Sequence, residues 1–247
     1  MNDYTIIKKN GNLSELLISR EDRRNALNSD MQYSIINSIQ EIEQDDTVKV
    51  VLVRSSGEDF SVGADIGELV KMDREMAEKF RENMLKITQL IFLSTKIYIF
   101  YLTGYSLGGA LEMAQWSDII IAHEKARIGQ PEINIGINAG AGGNSILPVE
   151  VGYRNAIYMA VTGKIISAME AKQIGLVQEV VKTESEMLEI ATKISTQDPM
   201  TLKSIKRTMR IASKTGYDEG MRVEKEEFVR LVQSRSTKDL LSRFLKK

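Results

Sequence analysis

Cysteine is absent from this chain of 247 residues, and histidine occurs once, at His123. The first absence excludes disulfides, cysteine-ligated zinc, iron–sulfur clusters and a thiolate nucleophile. The second leaves too little for a histidine metal site or a histidine-rich acid–base relay, so no metal is expected. Proline is scarce, with three residues, and the glycines are too dispersed to mark a flexible linker. Charge of one sign is missing too: 33 basic residues stand against 34 acidic ones. That balance argues against nucleic acid as a partner held by bulk charge. The charge-free stretch Ile97 to Leu111 is interrupted by Gly104, Ser106, Gly108 and Gly109 and falls short of the ~20 residues that span a bilayer. Near the N-terminus Asp3, Lys8 and Lys9 leave no apolar signal-peptide core. The expectation is a soluble, cytoplasmic protein without a membrane partner.

What is present is enough apolar sequence for a sizeable core, at 43% hydrophobic and 27% charged residues. Asn10–Gly11 between two short extended segments is a two-residue hairpin signal. Ser29 and Gln32 form a candidate capping box ahead of Met31, Ile35, Ile39 and Ile42 on one helical face. The β-branched run Val48 to Val53 predicts a buried strand, as do Ile97 to Leu102 and Ile119 to Ala122. Met72, Met76, Phe80, Met84, Ile87 and Ile91 recur at helical spacing and are most simply a buried stripe. Further helices are predicted over Gly108 to Trp116, Arg154 to Val161, and Ala168 to Ile174, the last with Ser167 and Glu170 as a capping box and Gly175 as a stop. Beyond about Glu184 the strand signals fade, and helical patterns run through Pro199 to Ala212, Asp218 to Val232 and Thr237 to Leu245. Alternating strands and helices followed by helices alone predict an α/β core with a helical appendage.

Three glycine clusters stand out: Phe60 to Ile66, Gly104 to Glu112, and Gly129 to Glu132 leading into Gly140 to Gly143. The first two each follow a predicted strand and precede a predicted helix, where ligands collect in open α/β folds. Glycine admits a ligand close to the main chain, and amides at a helix start are oriented donors toward negative charge. Any one cluster alone reads as a tight turn. Together, two strand-end loops can aim one amide each at a single oxygen, as an oxyanion hole requires. Glu112 lies one turn after Gly109, and Glu132 follows Pro131 in a loop; two carboxylates in different surroundings can divide acid and base roles. On spacing alone they read more readily as two surface glutamates, common in a chain with 34 acidic residues.

The segments FSVGADIGEL, GYSLGGALEMAQWSDIIIAHEKARIGQPEINIGINAGAGG and TGKIISAMEAKQIGLVQEVV, with RRNALN at Arg23 to Asn28, resemble the signature segments of the enoyl-CoA hydratase/isomerase (crotonase) superfamily. The resemblance runs in consistent order from about Tyr4 to Val181. It implies an α/β fold, a crotonase-like spiral of strand–strand–helix turns over 1–190, with a helical region over 191–247 that serves oligomerisation and covers the active site. It implies backbone amides of Val62 and Gly109 on the thioester oxygen, Glu112 and Glu132 as catalytic glutamates, and Gly140 as an amide that helps position the reacting water. Arg23, Arg24, Gly63, Ala64, Asp65 and Ile66 match stretches that line the CoA site. The implied activity is an enoyl-CoA hydratase of fatty acid metabolism, with CoA carried as part of the substrate, no separate cofactor, and assembly as a homotrimer or homohexamer. Such a hydration builds charge on the thioester oxygen; two amides there would each supply about 2.7–4 kcal/mol, with the α-helix dipole adding to them.

The chain departs from that pattern at Ala110, where many relatives have a third glycine, and at Asn138, Ser145–Ile146 and Glu21. These departures leave acyl-chain preference open. Within the superfamily the nearest competitor is an enoyl-CoA Δ3,Δ2-isomerase, which needs one carboxylate; the presence of both glutamates favours hydration. A non-catalytic assembly or RNA-binding protein on the same scaffold is disfavoured by both glutamates and by the near-zero charge. From another class, Gly104–Tyr105–Ser106–Leu107–Gly108 formally matches the nucleophile elbow of a serine hydrolase at Ser106. His123 follows the next predicted strand directly, which leaves little chain for a triad.

Overall fold

The computed structural model describes residues 4–244. They form two compact units, one ending at Ser94 and resuming over Tyr98–Ser195, the other made of Thr95–Ile97 and the chain from Thr196. In order come β1 (Thr5–Asn10), β2 (Leu13–Ile18), α1 (Ser29–Glu43), β3 (Val50–Ser55), α2 (Ile66–Leu69) and α3 (Arg74–Leu93). β4 (Ile97–Leu102), β5 (Tyr105–Leu107), α4 (Gly109–Gln115), β6 (Ile119–His123) and β7 (Arg127–Gly129) follow. Then come α5 (Gly143–Val151), α6 (Tyr153–Thr162), β8 (Ile165–Ser167), α7 (Ala168–Gln173), β9 (Glu179–Val181) and α8 (Glu184–Ser195). The second unit carries α9 (Pro199–Thr215), α10 (Tyr217–Gln233) and α11 (Arg235–Phe244). The predicted strand–helix alternation with a helical C-terminal region is what the structure has, and the end of the last predicted helix, Leu245, lies outside the described residues.

A six-stranded sheet takes the order β1-β2-β3-β4-β6-β9, and a three-stranded sheet the order β5-β7-β8. The predicted hairpin is β1 paired antiparallel to β2, with Asn10 opposite Leu13. The next pairings, β2 with β3, β4 with β6 and β6 with β9, are parallel. All six residues of β4 are buried, as suits a central strand covered on both faces. Met31, Ile35, Ile39 and Ile42 of α1 and Met84, Ile87 and Ile91 of α3 enter the core, and the two helices pack on one another. The stripe on α3 is shorter than its spacing predicts: Met72 precedes the helix, Met76 is exposed, and Phe80 is partly buried.

Two helix starts contrast. Ser167 and Glu170 form the predicted capping box of α7. At α1 the cap is Asn28, whose side chain accepts from the Met31 amide at 2.9 Å. Ser29 instead donates its amide and hydroxyl to the Glu68 carboxylate, at 2.9 and 2.5 Å. A partner distant in sequence has taken the residue that local spacing assigns to the cap.

In the second unit α9 begins at Asp198, which accepts from the Thr201 amide at 2.8 Å. α9 and α10 pack so closely that a Cβ added to Gly220 would lie 2.6 Å from the Ala212 Cβ. Glu227 is buried between Arg207 at 2.6 Å and Arg230 at 2.5 Å; Arg230 first, against the cost of burial, holds its carboxyl below the ordinary value. Among the described residues no helix is long and apolar enough to cross a membrane.

Candidate active site

β5 ends at Leu107, Gly108 turns the chain at φ 53°, and α4 starts at Gly109. As the first residue of a helix, Gly109 presents an amide that has no carbonyl a turn earlier to receive it. The loop after β3 is stitched alongside: the Ser61 amide donates to the Tyr105 carbonyl and the Leu107 amide to the Ser61 carbonyl, both at 3.0 Å. A Cβ on Gly63 would stand 2.8 Å from the Leu107 carbonyl oxygen, so only glycine permits this approach of the two loops.

Gly63 also decides which amide faces the site. The Val62 amide donates to the Arg24 carbonyl at 3.2 Å, and the Asp65 amide to the Leu27 carbonyl at 2.9 Å. Between them Gly63 adopts φ 89°, and the Ala64 amide has no acceptor among the described residues. The expectation for Val62 is therefore corrected: its donor is already engaged with the main chain. The amide left open on this loop is that of Ala64.

Glu112, in the first turn of α4, is 3% exposed. The 140–143 loop seats its carboxylate with three amides: Ala141 and Gly143 donate to Oε1 at 2.7 and 2.8 Å, and Gly140 to Oε2 at 3.3 Å. Gly140 thus makes the longest of the three bonds, while Ala141 and Gly143, to which the resemblance assigns nothing, make the short ones. A Cβ on Gly109 would lie 4.0 Å from Glu112 Oε2, and one on Gly108 would lie 3.2 Å from Glu132 Oε1. The two carboxylates therefore flank the start of α4.

Glu132 opens a 3-10 turn after Pro131. Its Oε1 is buried without a hydrogen-bond partner. Burial, with the charge of Glu112 adding to it, pushes the carboxyl up from an ordinary 4.5 to about 7. Val62, Gly63, Ala64, Ile66, Gly109, Glu112, Glu132 and Gly140 all line one cavity of 420 Å³, large enough for a small acyl group. Phe80, Arg81 and Met84 of α3 contribute to its wall.

Three residues that the resemblance matches to the CoA site, Arg23, Arg24 and Asp65, do not line this cavity. Arg23 is exposed, its side chain at 67%, 3.7 Å from Asp22. Arg24 donates to Asp59 at 2.7 Å, lies over the Tyr105 ring, and lines a separate cavity. Asp65 caps α2 through the Gly67 amide and pairs with Arg20 at 2.7 Å. For Arg24 and Asp65 an ionic partner distant in sequence has captured the side chain, whereas Arg23 meets only its neighbour Asp22 at the surface. Ser106 is fully buried with its hydroxyl turned to the Thr103 carbonyl at 3.2 Å. Both nitrogens of His123 meet main-chain groups, those of Lys182 and Lys125. The serine-hydrolase alternative has no exposed nucleophile and no free base.

The chain belongs to the enoyl-CoA hydratase/isomerase family, whose model matches residues 8–247. Among curated relatives it is 35% identical to a short-chain-enoyl-CoA hydratase of Clostridium acetobutylicum, over 98% of this chain and 94% of that one. It is 29% identical to the 2,3-dehydroadipyl-CoA hydratase of Escherichia coli, over 95% of this chain and 97% of that one. Among solved structures it is similar to an enoyl-CoA hydratase from Thermoplasma volcanium, with a TM-score of 0.94 and 40% identity over 98% of this chain and 97% of that one. The expected fold is thereby established.

Proposed function

We propose that this chain is an enoyl-CoA hydratase, a hydro-lyase that adds water across the double bond of a 2-enoyl-CoA thioester. The observation that carries the reading is the placement of Glu112 and Glu132 on either side of Gly108–Gly109 in a single cavity. The thioester carbonyl oxygen would accept from the Ala64 and Gly109 amides, each contributing about 2.7–4 kcal/mol as charge builds there. Glu112, fixed by its three amide donors, would hold a water and take its proton as the oxygen bonds to C3. Glu132, with a carboxyl near 7, would deliver a proton to C2. Gly140, through its long bond to Glu112, is the amide best able to share itself with that water. These steps draw on no metal or separate cofactor, because CoA arrives as part of the substrate.

A Δ3,Δ2-isomerase is the second reading, favoured by the unpartnered Glu132 oxygen, which alone could shuttle a proton between two carbons. A panel of 2-enoyl- and 3-enoyl-CoA thioesters, followed by conjugated-thioester absorbance, separates the two. Loss with 2-enoyl substrates supports hydration; gain from 3-enoyl substrates without water incorporation supports isomerisation. Glu112→Gln and Glu132→Gln should each slow hydration by about 10²–10⁴. Full turnover in both would remove the pair from the mechanism.

The helical C-terminal region is proposed to mediate assembly as a homotrimer or homohexamer. It exposes Met209, Tyr217, Phe228, Leu240 and Leu241, apolar side chains that a neighbouring subunit would cover. Absence of cysteine suits work in a reducing compartment such as the cytoplasm, within fatty acid metabolism.

A further inference from the structure

One wall of the cavity carries a charge that the hydration chemistry does not use. Arg81 is the only cation among the described lining residues, in a cavity that also holds the Glu112 and Glu132 carboxylates. Its neighbours on α3 are otherwise engaged: Glu78 pairs with Arg74, and Glu82 with Lys79. No ion-pair partner for Arg81 is found among the described residues. A helix surface normally spends such a charge on an acidic side chain three or four positions away; here the one acidic candidate, Glu78 three residues before, is turned to Arg74, while Ala77, Leu85 and Met84 fill the other three positions.

Position along the helix gives this charge a direction. A Cβ on Gly109 would lie 3.3 Å from Met84 Cε, so Met84 borders the place where the thioester oxygen would be held. Phe80 and Arg81 lie one turn nearer the N-terminus of α3 on that same face, about 4.5–6 Å along the axis. A chain running from the thioester along α3 would leave Met84 for the stretch of wall that Phe80 and Arg81 share. An acyl group ending in a methyl would leave that charge with nothing to do. One ending in a carboxylate would otherwise be repelled by the two glutamates already in the cavity.

We propose that Arg81 is a specificity residue that selects a short acyl chain with a terminal carboxylate. One guanidinium matches one carboxylate through paired N–H donors, and the apolar side chains of Phe80, Met84 and Leu69 cover the stem between the two ends. The diphosphate of CoA is a poorer match, since several negative charges would meet a single cation bordered by apolar side chains. The inference rests on the thioester reading above, and its test is chosen to separate the two.

Binding is measured by calorimetry with two saturated, unreactive thioesters of equal length, adipyl-CoA and hexanoyl-CoA, on the full chain and on Arg81→Met and Arg81→Lys. The full chain should bind adipyl-CoA roughly tenfold more tightly than hexanoyl-CoA, the low end for a charge-assisted pair because Arg81 is partly in water. In Arg81→Met that ratio should collapse to about one, with Arg81→Lys between. The same ordering should hold for kcat/KM on 5-carboxy-2-pentenoyl-CoA against 2-hexenoyl-CoA. Equal binding of the two thioesters by the full chain overturns the proposal. So does an equal loss for both in Arg81→Met, which would assign the charge to CoA phosphates. If the binding ratio holds but no thioester is hydrated, the hydratase reading falls and the role of Arg81 stands.

Discussion

Glu132 and Glu150 are both carboxyls that burial lifts to about 7, yet only one lines the cavity. Glu150 receives a bond from Gln115 Nε2 at 3.0 Å, which offsets part of the cost of its burial. The folded chain holds these protons where the unfolded chain has lost them, so stability falls as pH rises from about 4.5 to about 7 and stays reduced above that. Glu150→Gln should therefore raise Tm at pH 8 while leaving it nearly unchanged at pH 4.5, a comparison that thermal denaturation at the two pH values checks. At Gly109 the donor itself can be removed: proline is tolerated as the first residue of a helix and lacks an N–H. Gly109→Pro should keep its circular dichroism and lose about 10²–10³ in kcat on a 2-enoyl-CoA. The resemblance carried by the glycine-rich segments groups the two glutamates with Gly109, and all three line this cavity. The amide it assigns beside Gly109 lies two residues from the one that this loop leaves open. Nothing in FSVGAD states that Gly63 takes a positive φ, or that Arg24, in another segment, accepts the Val62 amide. The pairing of Arg24 with Asp59 is hidden for the same reason: it joins residues 35 positions apart.

Elements with a local signature were legible, even six-residue α7 with its capping box, while twelve-residue α8 was not. β4 is an unbroken apolar run and α3 repeats its apolar residues at helical spacing, whereas β5, β7, β8 and β9 have three residues each and show neither. Those short strands nonetheless place the loops that carry Gly108 and Glu132. Helix–helix spacing is equally invisible in composition. Gly220 on α10 reads as a mild weakness in a helix, but it is where α9 and α10 meet. Gly220→Val should destabilise by about 1–3 kcal/mol although valine has the better helix propensity, since the added methyls have no room beside Ala212; Gly220→Ala should fall between the wild type and Gly220→Val. Chemical denaturation of the three proteins measures the order.

For the molecule as a whole, composition foretold a chain without charge bias, and the family match over residues 8–247 accounts for nearly all of it. Composition is silent on the apolar side chains exposed along α9, α10 and α11, since only a folded helix sorts them into faces. Light scattering should give a mass of three or six chains. Phe228→Glu should lower that mass, as a buried charge without a partner does at an interface; an unchanged monomeric mass in the wild type would discard the assembly.

The amides of Ala64 and Gly109 belong to the peptide backbone, which every amino acid but one supplies identically. Ordinary mutation can therefore reshape the walls at Phe80, Arg81 or Met84 without touching the donors proposed for the reacting oxygen. A lineage built on such a scaffold is free to explore new acyl groups while its catalytic polarity is inherited intact.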